Sequence, residues 1–295
     1  MRWKPGGQSG DIEDRRGERP AGGGFGRGFG GGGMRLGLGG FLLLAVLSIV
    51  FKQDFFALLS GGPGATVGPA PSGSTRREPS AASRASEDQR VQFVSFVLDD
   101  AQATWSRLLP DRYERARLVL FTEAIQSACG FASAASGPFY CPGDRKVYID
   151  LSFYDELQRR FGAPGEFAQA YVVAHELGHH VQNLLGIDHE MRRAQQSRPD
   201  LANTLSVRLE LQADCLAGVW GHSTNERGIL EAGDVESGLN AAAAIGDDRI
   251  QRSAGRGVQP DSFTHGSSAQ RVKWFRRGLE SGDVAGCDTF RARNL

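Results

Sequence analysis

The chain has 295 residues with 34 basic and 34 acidic side chains, so it carries no formal net charge and no overall field that would favour nucleic acid as a partner. A hydrophobic fraction of 40% suffices for one sizeable domain, but many of the 40 glycines fall before residue 70, in composition that cannot bury a core. The four cysteines, Cys129, Cys141, Cys215 and Cys287, include no C-x-x-C pair, which excludes a zinc ribbon and a thioredoxin-like site.

Residues 1–35 are polar and then Gly-rich, and read as a cytoplasmic tail. Leu36 to Phe51 is an apolar run without charge, and Phe55, Phe56, Leu58 and Leu59 can extend it, which predicts a transmembrane anchor over 36–59. The 16 residues of the run reach only roughly 24 Å as a helix, short of the ~30 Å hydrocarbon core, so the run alone spans only with snorkelling flanks or a thinned bilayer. Arg2, Lys4, Arg15, Arg16, Arg19, Arg27 and Arg35 precede the run, whereas Lys52 stands alone after it. The positive-inside rule then keeps the N-terminus in the cytoplasm and predicts a single-pass cell-membrane protein with a periplasmic or otherwise extracytoplasmic C-terminal domain. Asp11, Glu13, Asp14 and Glu18 argue against a cleaved signal peptide, whose n-region is short and basic. Pro, Gly and Ser mark 60–87 as a flexible linker, leaving 88–295 as the folded domain.

Apolar spacing predicts a helix from Val91 to Leu109. Arg117 to Thr122, Pro138 to Cys141 and Lys146 to Asp150 read as strands, the last two joined into a hairpin by Pro142-Gly143-Asp144. Helices are predicted at Phe153 to Phe161, Glu166 to Leu185, between Pro199 and Trp220, and at Gly233 to Ala244 and Ser268 to Leu279. A small mixed sheet with a mostly helical remainder defines an α+β fold. Val147 to Asp150 is either an edge strand onto which an extended peptide could add, or an interior strand.

The chemistry concentrates in His175-Glu176-Leu177-Gly178-His179. On a helix, His175 and His179 lie one turn apart on one face and can reach one ion, with Glu176 beside them to activate water. His180 points about 100° away and reads as a packing or hydrogen-bonding residue. A catalytic zinc takes a third protein ligand. The H-x-x-G-x-x-H continuation is ruled out because Gln182 and Leu185 occupy its glycine and histidine positions. Downstream, Glu210 and Asp214 are one turn apart in a partly apolar helix. Glu210 can serve as the third ligand and Asp214 can accept a hydrogen bond from a ligand imidazole.

H-E-x-x-H followed by E-x-x-A-D, together with the Met1-Arg2-Trp3-Lys4-Pro5-Gly6 opening and Phe263-Thr264-His265-Gly266, resembles the putative neutral zinc metallopeptidase family of bacterial envelope proteins. The resemblance implies a zincin-like domain behind one N-terminal anchor. It also implies a Zn2+ ion on His175, His179 and Glu210, and hydrolysis of a protein or peptide substrate by zinc-activated water with Glu176 as general base. His265 is a candidate oxyanion donor or a structural histidine; Arg271 is a second candidate for that work or for holding Asp214. An extracytoplasmic domain lets the cysteines pair, and Cys129 with Cys141 and Cys215 with Cys287 is the expected choice among three connectivities. Two rival readings stay open: a non-catalytic zinc-binding envelope adaptor, and a zinc amidase acting on cell-wall peptides.

Overall fold

Two short apolar runs, β2 (Arg117–Phe121) and β6 (Lys146–Asp150), form the centre of the sheet, and each is buried along nearly its whole length. Continuous apolar runs of this kind belong to strands covered on both faces. The computed structural model describes residues 1–18 and 81–295. Met1–Glu18 and Gln89–Leu295 form one unit, and Arg19–Asp88 form another. The predicted anchor at 36–59 and the linker up to residue 80 lie outside the described residues.

Among the described residues a four-stranded sheet has the order β1-β2-β6-β5, where β1 is Ile12–Asp14 and β5 is Phe139–Cys141. β1, β2 and β6 are parallel, and β5 pairs antiparallel with β6 as the predicted hairpin. Side chains alternate across the sheet with period two. Leu118, Leu120, Val147 and Ile149 face one way, joining Val94, Leu98 and Ala101 of α1 (Ala81–Leu108) and Phe167, Ala170, Tyr171 and Ala174 of α3 (Glu166–Leu184). Val119, Phe121 and Tyr148 face the other way, against Ile125 of β3 (Ala124–Ser127) and Ala132 of β4 (Gly130–Ser133). The disulfide Cys129–Cys141 ties the β3–β4 turn to β5.

One expectation needs correction, and one open alternative is decided. Residues 1–18 are not a tail. Ile12, Glu13 and Asp14 pair in parallel with Leu118, Val119 and Leu120, Trp3 donates from Nε1 to Glu166 Oε1 at 3.0 Å, and Lys146 Nζ reaches Glu13 at 2.8 Å. The strand Val147 to Asp150 is interior, held between β2 and β5, and the edge beside it is β5.

Among the described residues the remaining α-helices are α2 (Phe153–Arg159), α4 (Ile187–Ser197), α5 (Ala202–Glu226), α6 (Asp234–Ala244), α7 (Asp247–Ser253) and α8 (Ser268–Ser281). Glycines set how closely α5 approaches α8 and α3. A Cβ on Gly278 of α8 would overlap the Cys215 carbonyl of α5, and one on Gly218 would overlap the Phe275 carbonyl of α8. Gly178 of α3 performs the same service toward α5, since a Cβ there would stand 2.9 Å from the Ala213 carbonyl oxygen. The disulfide Cys215–Cys287 fastens the C-terminal residues to α5.

Candidate metal centre

α3 supplies His175 and His179 from its buried middle, and α5 crosses it to bring Glu210 opposite both. One ligand atom from each of the three lies within 4.8 Å of the others. His175 Nε2 is 3.2 Å from Glu210 Oε2, and His179 Nε2 is 3.5 Å from Glu210 Oε1. The imidazole rings stand nearly perpendicular, at 87°, with centroids 4.8 Å apart. Two nitrogens and a carboxylate converging on one point make a donor set that fits zinc, which accepts N and O ligands and in catalytic sites leaves a position open. His179 and Glu210 keep 17% and 18% of their side chains exposed, so the site opens to solvent on one side.

Behind His175 sits a buried charged cluster. His175 Nδ1 is 3.0 Å from Asp214 Oδ1, and Asp214 also receives Arg271 through Nε at 2.8 Å and Nη2 at 2.8 Å. The Tyr171 hydroxyl donates to Asp214 Oδ1 at 2.5 Å. Asp214 has no exposed surface and Arg271 keeps 1%, so each charge answers the desolvation of the other. Burial works against a charged His175, but the Asp214 and Glu210 carboxylates outweigh it and lift His175 to about 9 without a metal. The same burial opposes ionisation of Asp214, yet Arg271 and His175 hold its carboxyl below the usual range.

Glu176 is 7% exposed, and burial raises its pKa against the pull of His175 and His179. The backbone N–H of Tyr140, on edge strand β5, acts on the same carboxyl. His265 sits in a loop gathered by Asp247, whose Oδ2 accepts from the backbone N–H groups of Thr264, His265 and Gly266 at 2.7, 2.7 and 3.1 Å. Burial opposes a charged His265 too, but Asp247 and Glu210 raise its pKa, which puts its ring in the field of the candidate ligand. His180 turns away from the centre, with Nδ1 3.0 Å from the Tyr140 hydroxyl and Nε2 2.7 Å from the Glu114 carbonyl.

Every site residue singled out in the sequence therefore falls in one neighbourhood, and Arg271 takes the second of its two suggested places, on Asp214. Tyr171, Tyr140 and Gln182 were missed. Tyrosine and glutamine in apolar segments read as core; partners across the fold reveal Tyr171 and Tyr140, and Gln182 is revealed by His179, three residues back on its own helix.

An α+β unit with a His-His-Glu donor set on two crossed helices is the frame of a metal-dependent hydrolase class. The chain belongs to the putative neutral zinc metallopeptidase family, whose model matches residues 1–290. It is 44% identical to the uncharacterized protein YpfJ of Escherichia coli K12 over 298 aligned positions, covering 98% of this chain and 99% of that one. The uncharacterized proteins Mb2605 of Mycobacterium bovis and Rv2575 of Mycobacterium tuberculosis are 46% identical over 208 positions, 67% of this chain and 69% of theirs. No solved structure matches significantly.

Proposed function

We propose that the protein is a zinc-dependent peptidase of zincin-like architecture, with the ion held by His175, His179 and Glu210. The observation that carries this reading is the convergence of two imidazole Nε2 atoms on both oxygens of Glu210, with Glu176 beside them on the same helix. Zinc bound there would polarise a scissile carbonyl and acidify a water molecule. Glu176, raised in pKa by burial, takes the proton from the attacking water and delivers it to the leaving amine. β5 is the open edge next to α3, and an extended peptide adds to it through main-chain hydrogen bonds that lay its carbonyl over the centre. His265, held by Asp247, donates toward the oxyanion.

The test is hydrolysis of an unfolded protein by the zinc-loaded chain and by Glu176→Gln, with zinc content measured in both. The reading expects full zinc occupancy in each and a loss of cleavage of about 10^2-fold or more in the variant. Zinc retained with no Glu176-dependent cleavage of any peptide would leave only the adaptor role, and cleavage of muropeptides alone would make the protein an amidase.

An extracytoplasmic location is supported by the two disulfides, which persist in oxidising compartments. Attachment to a membrane rests on the apolar composition of residues 36–59. The pairing of β1 with β2 favours an attachment in which residues 18 and 89 share one side of the bilayer. The 24 residues of the segment reach roughly 36 Å as a helix, enough for one crossing of a ~30 Å core and too short for two.

A further inference from the structure

The two ligand histidines are held from behind by different chemistry. His175 leans on the charged Asp214–Arg271 pair, whereas His179 presents Nδ1 to Gln182 Oε1 at 2.8 Å. Gln182 is fully buried and its amide nitrogen has two acceptors, the Leu209 carbonyl at 2.7 Å and Gln212 Oε1 at 3.0 Å. Gln212 is 6% exposed and donates from Nε2 to the carbonyl oxygen of Cys287 at 3.1 Å.

The direction of these bonds is fixed at both ends. The carbonyls of Leu209 and Cys287 can only accept, so the amide nitrogens of Gln182 and Gln212 must face them. Their oxygens must then face the other way, and Gln182 Oε1 is left to accept from His179. His179 therefore carries its proton on Nδ1 and turns the Nε2 lone pair toward Glu210. A ligand imidazole whose tautomer and ring plane are preset loses less freedom on binding metal.

We propose that Gln182 is a positioning residue for His179, and that a neutral relay through Gln212 anchors it to the Cys287 carbonyl, so that the Cys215–Cys287 disulfide supports metal affinity. Cys287 is joined to α5 by that bond, and the residues after it are held by Thr289 Oγ1 donating to the Arg208 carbonyl at 2.6 Å. Opening the disulfide frees the carbonyl on which the chain of amides ends. The relay then loses its fixed direction, and Gln182 can rotate its amide away from His179.

The proposal rests on the zinc reading above, and the two fail in different ways. Zinc affinity of the full chain is measured by competition with a chromophoric chelator for the wild type, Gln182→Leu, Gln212→Leu, the double variant Cys215→Ser/Cys287→Ser, and Gln182→Leu combined with that pair. Circular dichroism serves as the folding control. The expected result is a loss of about 10- to 100-fold for Gln182→Leu and smaller losses for Gln212→Leu and the cysteine pair. The combined variant should bind no more weakly than Gln182→Leu alone, because both changes cut one chain. Nitrogen NMR of the metal-free wild type should show His179 as the Nδ1–H tautomer, and Gln212→Leu should mix the two tautomers. A folded Gln182→Leu with wild-type affinity, or losses that simply add, overturns the proposal. Should Gln182→Leu not fold, Gln212→Leu with unchanged affinity and an unmixed tautomer overturns it equally. A wild type that takes up no zinc sinks the metal reading itself.

Discussion

Arg271 occupies an unforgiving position. It is fully buried, and its guanidinium answers Asp214, which in turn fixes the ring of His175. Arg271→Met would leave the Asp214 carboxylate buried and uncompensated, at a cost of about 3–5 kcal/mol in urea unfolding, with zinc uptake weakened in whatever folds. At this scale the sequence was most legible where chemistry follows helical spacing: His175, Glu176 and His179 on one turn, Glu210 and Asp214 on another. Tyr171 and Gln182 were illegible for the opposite reason. Tyr171 takes its role from Asp214, 43 residues away across the α3–α5 contact, and although Gln182 meets His179 three residues back on its own helix, the direction of its amide is set by Gln212, 30 residues away.

Gly178 shows how an element serves the site. It lies inside the H-E-x-x-H motif, and its missing side chain lets α5 come close enough for Glu210 to face both histidines. Gly178→Ala would push a Cβ to 2.9 Å from the Ala213 carbonyl oxygen and force the helices apart. The expected outcome is a destabilisation of about 1–3 kcal/mol together with a clear drop in zinc affinity, read from thermal unfolding and metal competition. The longer helices and the β5–β6 hairpin were visible in apolar periodicity and the Pro-Gly-Asp turn. β3 and β4 were not, because Ala-Ile-Gln-Ser and Gly-Phe-Ala-Ser are short and carry little strand preference. α4 was missed because its apolar stripe is only Ile187, Met191 and Ala194 in an otherwise polar sequence, and of these Met191 alone is buried.

At the largest scale of the described residues, Ile12–Asp14 complete a sheet whose other strands all lie beyond residue 116. β1 supplies only three residues, and its partner lies over a hundred positions downstream, so nothing local in Ile12-Glu13-Asp14 announces a strand. Removing residues 1–18 would expose the β2 edge and strip Ile12 from the core, and the truncated chain should unfold at lower temperature and aggregate. Topology is open to a direct check with Arg2→Cys and Arg293→Cys, both at exposed positions, since the four native cysteines are paired and silent. A membrane-impermeant maleimide should label both variants in the same compartment. Labelling of one in intact cells and the other only after lysis would contradict the shared-side arrangement. The central claim concerns the ion, and anomalous diffraction at the zinc edge from crystals of the zinc-loaded chain addresses it most directly. The account predicts one strong peak at about 2.0–2.2 Å from His175 Nε2, His179 Nε2 and a Glu210 carboxylate oxygen. No peak there, or a peak held by other residues, would contradict it.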